Sequence, residues 1–397
     1  MNTRHLVQCF SLTVAVLFAA ASCNTVTDIP QTYGKRADAL PAETWEHSVW
    51  ISAADAPVVE GKVYEYDHCR CADGASWFVL NLANEEKVSS AKWMTTGLGV
   101  YDIYVNGKLI GAELLKPGFT HVRKTRRSFT YDVTDAIRTS RGGVNVFAVQ
   151  VTPGWWADKI VTPRYYVKTN ERLGMIGRKC AFRGVLELTF ADGTSKLYGT
   201  DTLAWRAGVA GPVKHADIFD GEEYDARELP GYDCAEKLGV PEVNTEFAGE
   251  ILPSGGAEVY AREDLALTPV KAYVWKDIEG AGEEAYGKVV VSREYASGAE
   301  MKLAPGETLV LDFGQNCAGV PSFGFSAAEG TTLPCLPAEI LNDGNGAKSR
   351  GMDGPEGSCH RQNLRIPFDG MILKYTFASS EKPVAYRPRF TFFGYRY

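Results

Sequence analysis

The sequence has little concentrated positive charge, which bears on nucleic-acid binding. It holds Lys+Arg 42 against Asp+Glu 49, for a formal net charge of -7. Nucleic-acid-binding domains need a basic face. The one short basic cluster, residues 123–127, lies beside a strand pattern, where charges discourage edge-to-edge pairing of sheets. We therefore expect no nucleic-acid partner.

Helical periodicity is also scarce, since no long stretch beyond residue 22 shows it. Apolar and polar residues alternate instead, as they do over residues 100–105 and 144–151. Asn106-Gly107 follows the first of these runs, and this dipeptide is a strong hairpin signal because both residues tolerate positive φ. Short strands with frequent turns favour β-sandwiches over βαβ units. The sequence therefore predicts an all-β protein.

The cysteines are too irregularly spaced to build a disulfide scaffold. Of the nine cysteines, Cys9 lies in the predicted signal peptide and Cys23 is the predicted lipid anchor, which leaves seven, an odd number, for the rest of the chain. His68-Cys69-Arg70-Cys71 places two thiols one residue apart, without a second pair at zinc-like spacing. Structural or incidental cysteines are the simpler interpretation, so we predict no metal site and no cofactor.

The first residues form a typical export signal. A polar start at Arg4 and His5 precedes a mostly apolar run that ends in Ala20-Ala21-Ser22-Cys23. This predicts a signal peptide over residues 1–22 and lipidation of Cys23, although Ala20 stands where leucine is usual. Residues 23–49 would then be a tether. The expected location is an outer-membrane-anchored lipoprotein, which touches the membrane through its lipid alone, or the periplasm after plain secretion.

A break in the strand pattern divides the rest of the chain. Residues 241–256 contain Pro241, Pro253, Gly255 and Gly256 and show little periodicity, which is typical of a linker. We predict one domain over residues 50–240 and a second over residues 257–397.

Several separated motifs resemble bacterial α-L-rhamnosidases of glycoside hydrolase family 78. In the first domain they are residues 98–111, 115–120 and 130–134, Pro153-Gly154-Trp155-Trp156, Ala191-Asp192-Gly193 and residues 221–227. In the second they are residues 312–319, 338–342, 356–358 and 388–397. The resemblance implies two jelly-roll β-sandwiches in tandem, the first galactose-binding-like and the second concanavalin-like.

The same family implies a reaction that these residues do not carry. Its members hydrolyse terminal α-L-rhamnose with inversion in a following (α/α)6 barrel, where two carboxylates stand roughly 6.5–9.5 Å apart. No barrel motif occurs in the 397 residues, and Tyr397 falls within an expected strand. We predict a non-catalytic N-terminal portion, with Glu222, Asp225, Asp312 and Glu339 as surface or turn-capping carboxylates.

Candidate carbohydrate-binding residues are Trp155, Trp156, Tyr165 and Tyr166, because aromatic rings stack on sugar C–H faces; packing between domains is the alternative. Arg178 and Arg183 are weaker candidates for binding acidic sugars. Three hypotheses remain open. The chain belongs to a rhamnosidase whose catalytic domain is lost or separately encoded, it is a stand-alone surface lipoprotein that binds rhamnose-containing glycans, or it is a decayed fragment.

Overall fold

The computed structural model describes residues 14–17, 31–56, 74–121, 123–157, 177, 179–218, 220–256, 258–283, 285–344, 352–364, 371–378 and 383–397. Nearly all regular structure in these residues is β-strand, which confirms the predicted fold class. A single helical turn, α1 (Gly154–Ala157), interrupts the strands. Short 3-10 helices lie at Ala42–His47, Gly231–Asp233, Ala235–Lys237, Glu263–Leu265 and Gln362–Leu364.

Strands before residue 254 are, in chain order, β1 (Val14–Leu17), β2 (Thr32–Tyr33), β3 (Lys35–Arg36), β4 (Ile51–Ser52), β5 (Ala75–Ala83), β6 (Val88–Leu98), β7 (Val100–Val105), β8 (Lys108–Ile110), β9 (Thr125–Asp132), β10 (Val144–Thr152), β11 (Ala181–Phe190), β12 (Ser195–Gly199), β13 (Arg206–Ala210), β14 (Val213–Asp217), β15 (Gly221–Asp225), β16 (Glu242–Val243) and β17 (Glu250–Pro253).

The later strands are shorter on average. They are β18 (Lys271–Glu279), β19 (Lys288–Tyr295), β20 (Glu300–Leu303), β21 (Thr308–Asp312), β22 (Cys317–Gly319), β23 (Phe323–Ser326), β24 (Thr332–Cys335), β25 (Ile340–Leu341), β26 (Cys359–His360), β27 (Ile372–Thr376), β28 (Val384–Tyr386) and β29 (Phe393–Tyr395).

Two sheets form the first sandwich. One has the order β13-β5-β10-β7-β8-β2, and the other has β16-β4-β11-β6-β9-β17, with β12 on β11 and β3 on β9. Phe147 of β10 lies opposite Leu80 on one side and Val105 on the other. All three are buried in one continuous core. Period-2 alternation thus points one face of each long strand inward, as sandwich packing requires.

The predicted hairpin at Asn106-Gly107 is confirmed, since it joins β7 to β8. Asn106 has φ 52° and Gly107 has φ 77°, the left-handed conformation that a two-residue hairpin turn demands. The Asn106 amide also donates to the Ala136 carbonyl at 2.9 Å and accepts from the Val146 amide at 3.0 Å. The turn therefore fixes the register of β7, which carries Asp102.

The C-terminal region, residues 258–397, borrows strands from earlier parts of the chain. Its sheet β14-β15-β27-β24 takes β14 and β15 from residues 213–225, with β15 parallel to β27. Strand β17, which falls within the predicted linker, lies parallel to β9 of the first sandwich. Sheet membership therefore crosses the predicted linker in one direction, from earlier residues into the C-terminal region. The remaining sheets here are β20-β1-β23-β28, β19-β18-β21, β22-β29 and β25-β26.

Within the described part of the chain, no helix has the length and apolar character needed to cross a membrane.

Candidate functional site

The pair Trp155-Trp156 lies in α1, directly after β10. The Pro153 carbonyl accepts the backbone N–H groups of Trp156 at 3.0 Å and Ala157 at 3.1 Å, which closes the turn. Gly154 has φ 36°, and a Cβ there would lie 2.2 Å from Cγ2 of Val100. Only glycine lets the backbone approach β7 this closely, so the sequence Pro-Gly places both indoles at one end of the sandwich.

Trp156 points inward and is fully buried. Its Nε1 donates to the Lys179 carbonyl at 2.9 Å. The Arg126 guanidinium lies 4.9 Å from its ring centroid, and Phe247 makes an edge contact at 6.4 Å. Protein atoms therefore cover the ring, and Trp156 is placed in the core and not on a surface that a glycan reaches.

Trp155 points the other way and is half-buried. Its Nε1 donates to the Leu115 carbonyl at 3.1 Å. Phe119 meets it edge-on, with ring centroids 5.6 Å apart and an interplanar angle of 68°. Phe119 itself is 59% exposed. Phe119 and Trp155, called here the aromatic pair, offer apolar ring surface to solvent at one end of the first sandwich.

Phe119 was absent from the sequence-predicted set. Its signal was the turn Pro117-Gly118 immediately before it, where Gly118 has φ 83° and leaves the next side chain at the surface. Tyr165, Tyr166 and Arg178 lie outside the described residues, as do Cys23 and the cysteines at 69 and 71.

Arg183 has a structural role. Its Nη2 donates to the Ser48 carbonyl at 2.9 Å and its Nε donates to the Ser48 hydroxyl at 3.0 Å. The guanidinium also lies 5.4 Å from the Trp45 ring centroid. These contacts anchor the 3-10 helix Ala42–His47 to β11, so the guanidinium is engaged by protein and not held out toward an acidic sugar.

A buried ion pair joins the C-terminal region to β7. Arg389 contacts Asp102 through Nε, and its Nη2 donates to Oδ1 at 3.1 Å. Burial alone would raise the pKa of Asp102, but the charge and hydrogen bonds of Arg389 outweigh it and lower that pKa. Asp102 is therefore held ionised as a structural anion.

Lys116 lies close to this ion pair and is also buried. Its Nζ donates to the Ile110 carbonyl at 3.4 Å and lies 5.4 Å from the Tyr131 ring centroid. Burial lowers the pKa of Lys116, while the charge of Asp102 opposes that shift. The charge of Asp102 thus acts on the pKa of Lys116 as well as on Arg389.

Glu222 of β15 accepts hydrogen bonds from the segment that contains Arg389, residues 386–390. Its Oε2 accepts the backbone N–H groups of Arg389 and Phe390, each at 3.0 Å, and its Oε1 accepts the Tyr386 hydroxyl at 2.8 Å. Burial raises the pKa of Glu222, and these donors oppose the rise. The carboxylate holds residues 386–390 against β15, and this role uses both of its oxygens.

The other sequence-predicted carboxylates also serve local structure. Asp225 accepts from Nη2 of Arg227 at 2.7 Å, and Asp312 accepts from Nε of Arg396 at 2.8 Å. Glu339 accepts from the Asn316 amide at 3.3 Å. Each carboxylate therefore has a different local partner. Among the described residues, no group of three or more His, Cys, Asp and Glu side chains could hold a metal ion.

Two known domain families match parts of this chain. Residues 86–245 match the α-L-rhamnosidase N-terminal domain, and residues 301–397 match the bacterial α-L-rhamnosidase concanavalin-like domain. The resemblance noted in the sequence is thereby confirmed.

Individual relatives match over most of this chain but over a minor part of their own length. An α-L-rhamnosidase of Streptomyces avermitilis is 31% identical over 322 residues, which is 79% of this chain and 25% of that protein. An α-L-rhamnosidase of Formosa agariphila is 26% identical over 320 residues, which is 80% of this chain and 29% of that protein. The chain thus spans less than a third of either relative.

Solved structures show the same relation. The Streptomyces avermitilis α-L-rhamnosidase, crystallised in complex with L-rhamnose, superposes with a TM-score of 0.58 at 27% identity, covering 82% of this chain and 27% of that chain. The native enzyme of Aspergillus terreus superposes with a TM-score of 0.61 at 20% identity, covering 97% of this chain and 42% of that chain. At 20% identity, the likeness to the Aspergillus terreus enzyme shows a similar fold alone.

Proposed function

We propose that this chain, which carries the N-terminal and concanavalin-like domains of the α-L-rhamnosidases, is a non-catalytic N-terminal portion of an enzyme acting on terminal α-L-rhamnose of plant or bacterial glycans. The observation that carries the proposal is the ordered match to both domains. The buried Asp102–Arg389 pair and the Glu222 contacts support it, because they join the two domains into one unit. The four carboxylates singled out in the sequence, those of Glu222, Asp225, Asp312 and Glu339, each accept hydrogen bonds from other groups of this protein.

An activity assay tests the absence of catalysis. The purified chain is incubated with 4-nitrophenyl α-L-rhamnopyranoside, with the Streptomyces avermitilis α-L-rhamnosidase as positive control. We expect no nitrophenol release above the buffer blank. Release that scales with the concentration of the chain, and that falls in a Glu222→Gln or Asp225→Asn variant, would contradict the proposal.

Gene sequencing tests the relation to a catalytic barrel. The DNA on the 3′ side of codon 397 is read for several hundred codons. Barrel sequence with paired acidic motifs, in the same or an adjacent reading frame, would support a rhamnosidase portion. Unrelated sequence there would favour a free-standing protein.

Glycan binding is the second candidate function, and the aromatic pair favours it. Exposed ring surface beside a half-buried indole is the kind of platform on which an apolar sugar face packs. Titration of L-rhamnose followed by NMR would test it. Chemical-shift changes should disappear in Phe119→Ala and persist in Leu203→Ala, which removes an aliphatic side chain that is 84% exposed. Equal response of both variants would place any binding elsewhere.

For location, the proposal is export and lipid anchoring through Cys23, as an outer-membrane lipoprotein or, without the lipid, a periplasmic protein. Radiolabelled palmitate supplied to expressing cells should label the wild-type chain and not Cys23→Ser. Labelling of both would assign the lipid to another residue, and labelling of neither would favour plain secretion.

A further inference from the structure

One arginine of the first sandwich is buried without an anion. Arg126 of β9 is fully buried, and its Nη1 donates to the Thr120 hydroxyl at 3.2 Å. In the described part of the chain, its Nε and Nη2 have no hydrogen-bond partner. The guanidinium lies 4.9 Å from the ring centroid of Trp156 and 5.7 Å from that of Phe247. One edge of a buried cation therefore carries two unused donors.

The corresponding edge of other arginines binds a carboxylate in this protein. Four of them donate from Nε and Nη2 to the two oxygens of one aspartate, and the pairs are Arg227–Asp225, Arg262–Asp264, Arg389–Asp102 and Arg396–Asp312. Two parallel N–H groups match the spacing of the two oxygens of a planar carboxylate. The chemical group that fits the unused edge of Arg126 is therefore a carboxylate.

Stability alone does not explain a charged residue at this position. Taking a charge out of water costs free energy unless a counter-ion and hydrogen bonds replace the water. Burial lowers the pKa of Arg126 to about 10, and no described acidic group opposes that shift, so the side chain keeps its charge at neutral pH. Arg183 also lies over an indole, that of Trp45, but its Nη2 and Nε donate to the carbonyl and hydroxyl of Ser48. Buried donors left unused call for a partner that the folded chain does not supply.

The buried guanidinium lies beside the aromatic pair. Thr120, which contacts it, follows Phe119 in the chain, and Trp156, which packs on it, follows Trp155. Consecutive Cα atoms are about 3.8 Å apart, so the exposed rings and the guanidinium lie outside and inside the same end of the sandwich. The turn at residues 117–121 reaches the surface through Phe119 and supplies the Thr120 hydroxyl. A ligand that displaces this turn gains access to the guanidinium.

We propose that the Nε and Nη2 edge of Arg126 binds the carboxylate of an acidic sugar, a uronate, whose ring packs on the aromatic pair. The sugar places an apolar C–H face on Phe119 and Trp155, and its carboxylate supplies the missing counter-ion. The contribution of the ring rests on the glycan binding proposed above. The carboxylate site itself is tested by charge alone, so the two can fail separately.

Thermal unfolding of the ligand-free protein tests whether Arg126 is unpaired. Arg126→Met keeps most of the side-chain length and removes the charge, so the melting temperature should equal or exceed that of the wild type. Arg183→Met is the matched control, because it also removes a guanidinium that lies over an indole. Its melting temperature should fall, since the guanidinium of Arg183 has acceptors. An equal fall in both variants would give Arg126 a structural role and overturn the proposal.

Isothermal titration at constant ionic strength tests the carboxylate site. D-glucuronate and D-glucuronamide share one ring and differ in charge at a single group. The wild type should bind glucuronate roughly tenfold more tightly or better, because hydrogen bonds to a charged group are stronger than neutral ones. Arg126→Met should bind the two compounds alike. Equal affinities in the wild type, or no binding of glucuronate, would overturn the site.

Two further ligands separate the carboxylate site from the aromatic pair. Acetate has the carboxylate without the ring, so it should bind more weakly than glucuronate, and Phe119→Ala should weaken glucuronate binding. If acetate binds as tightly and Phe119→Ala has no effect, the assignment to a sugar is overturned. A response to L-rhamnose without one to glucuronate would overturn the Arg126 site and leave glycan binding intact. A response to neither compound would remove both.

Discussion

The first sandwich and the C-terminal region differ in the length of their strands and in the size of the hydrophobic core that the strands enclose. In the first sandwich, strands of up to 11 residues enclose one continuous core that contains Trp93, Phe147 and Phe182. In the C-terminal region, shorter strands enclose clusters that each hold far fewer buried residues than that core. The sheet β19-β18-β21 there exposes most of β19, including Val290 and Val291.

This difference indicates which region is stabilised mainly by its own strands. A sandwich stabilises itself when both sheets supply long alternating strands, since apolar burial scales with the enclosed surface. The C-terminal region instead uses β14, β15 and β1 from elsewhere in the chain. The stability of the C-terminal region therefore depends on strands from other parts of the chain. We expect comparable mutations to change the free energy of unfolding differently in the two regions.

The largest expected effect comes from a matched pair of phenylalanines. Phe147 and Phe325 are each 1% exposed, but Phe325 lines a small apolar cavity with Leu333, Leu373 and Tyr386. Phe147→Ala should lower the free energy of unfolding by roughly 4 kcal/mol, and Phe325→Ala by roughly 2–3 kcal/mol, because a loosely packed site loses fewer contacts. Urea unfolding followed by tryptophan fluorescence would measure both. Equal losses of unfolding free energy in the two variants would mean that the two cores are equally well packed.

Asp102→Asn should cost about 3 kcal/mol at neutral pH, because it leaves Arg389 buried without its anion. The ionised form is favoured in the folded state, since Arg389 outweighs burial and lowers the pKa of Asp102 below 3.8. The stabilisation is thus complete above that unfolded value and is lost as pH falls through the folded pKa.

Urea unfolding of the wild type and of Asp102→Asn, measured from pH 7 downward, would check this prediction. The difference in the free energy of unfolding between the two proteins should stay constant down to about pH 4 and become smaller at lower pH. Asp38→Asn, a change at an exposed carboxylate, serves as control. A difference that widens with acid would assign the stabilisation to another group.

Gly221→Ala should act on the junction of the two regions. Gly221 has φ 117°, and a Cβ there would lie 2.1 Å from the carbonyl oxygen of Ile372. Strain and the clash should cost roughly 2 kcal/mol and separate β15 from β27. Hydrogen exchange should rise at Ile372–Thr376 and remain slow at Val144–Thr152. In the control Gly142→Ala, φ is 72° but no atom lies within 4 Å of the added Cβ, so both segments should stay protected.

The smallest effect is expected at surface ion pairs, one from each region. Lys196 contacts Glu85, and Lys374 lies 2.6 Å from Glu223. Exposed pairs contribute little because water and salt screen them. Thermal unfolding of Lys196→Ala and Lys374→Ala should match wild type within error. A clear shift for Lys374→Ala alone would show that the β15–β27 junction depends on this pair as well as on Glu222.

Local patterns in the sequence predicted much of the first sandwich. Alternation over residues 144–151 and the Asn106-Gly107 turn were sufficient because both signals arise from neighbouring residues. The candidate site was less accessible. Adjacent indoles in Trp155-Trp156 look equivalent in sequence, yet one is buried under Arg126 and the other meets Phe119. Which of the two faces solvent depends on residues that are distant along the chain.

The sequence by itself determined the all-β character, the hairpin register and the likeness to two rhamnosidase domains, because turn residues and period-2 burial act over a few positions. Only the tertiary structure decided that Glu222 holds residues 386–390, that Asp102 pairs with Arg389 across 287 positions, and that β1 lies between β20 and β23. Those outcomes depend on which edges and buried charges remain unpartnered once the sheets have formed, and no local pattern encodes that balance.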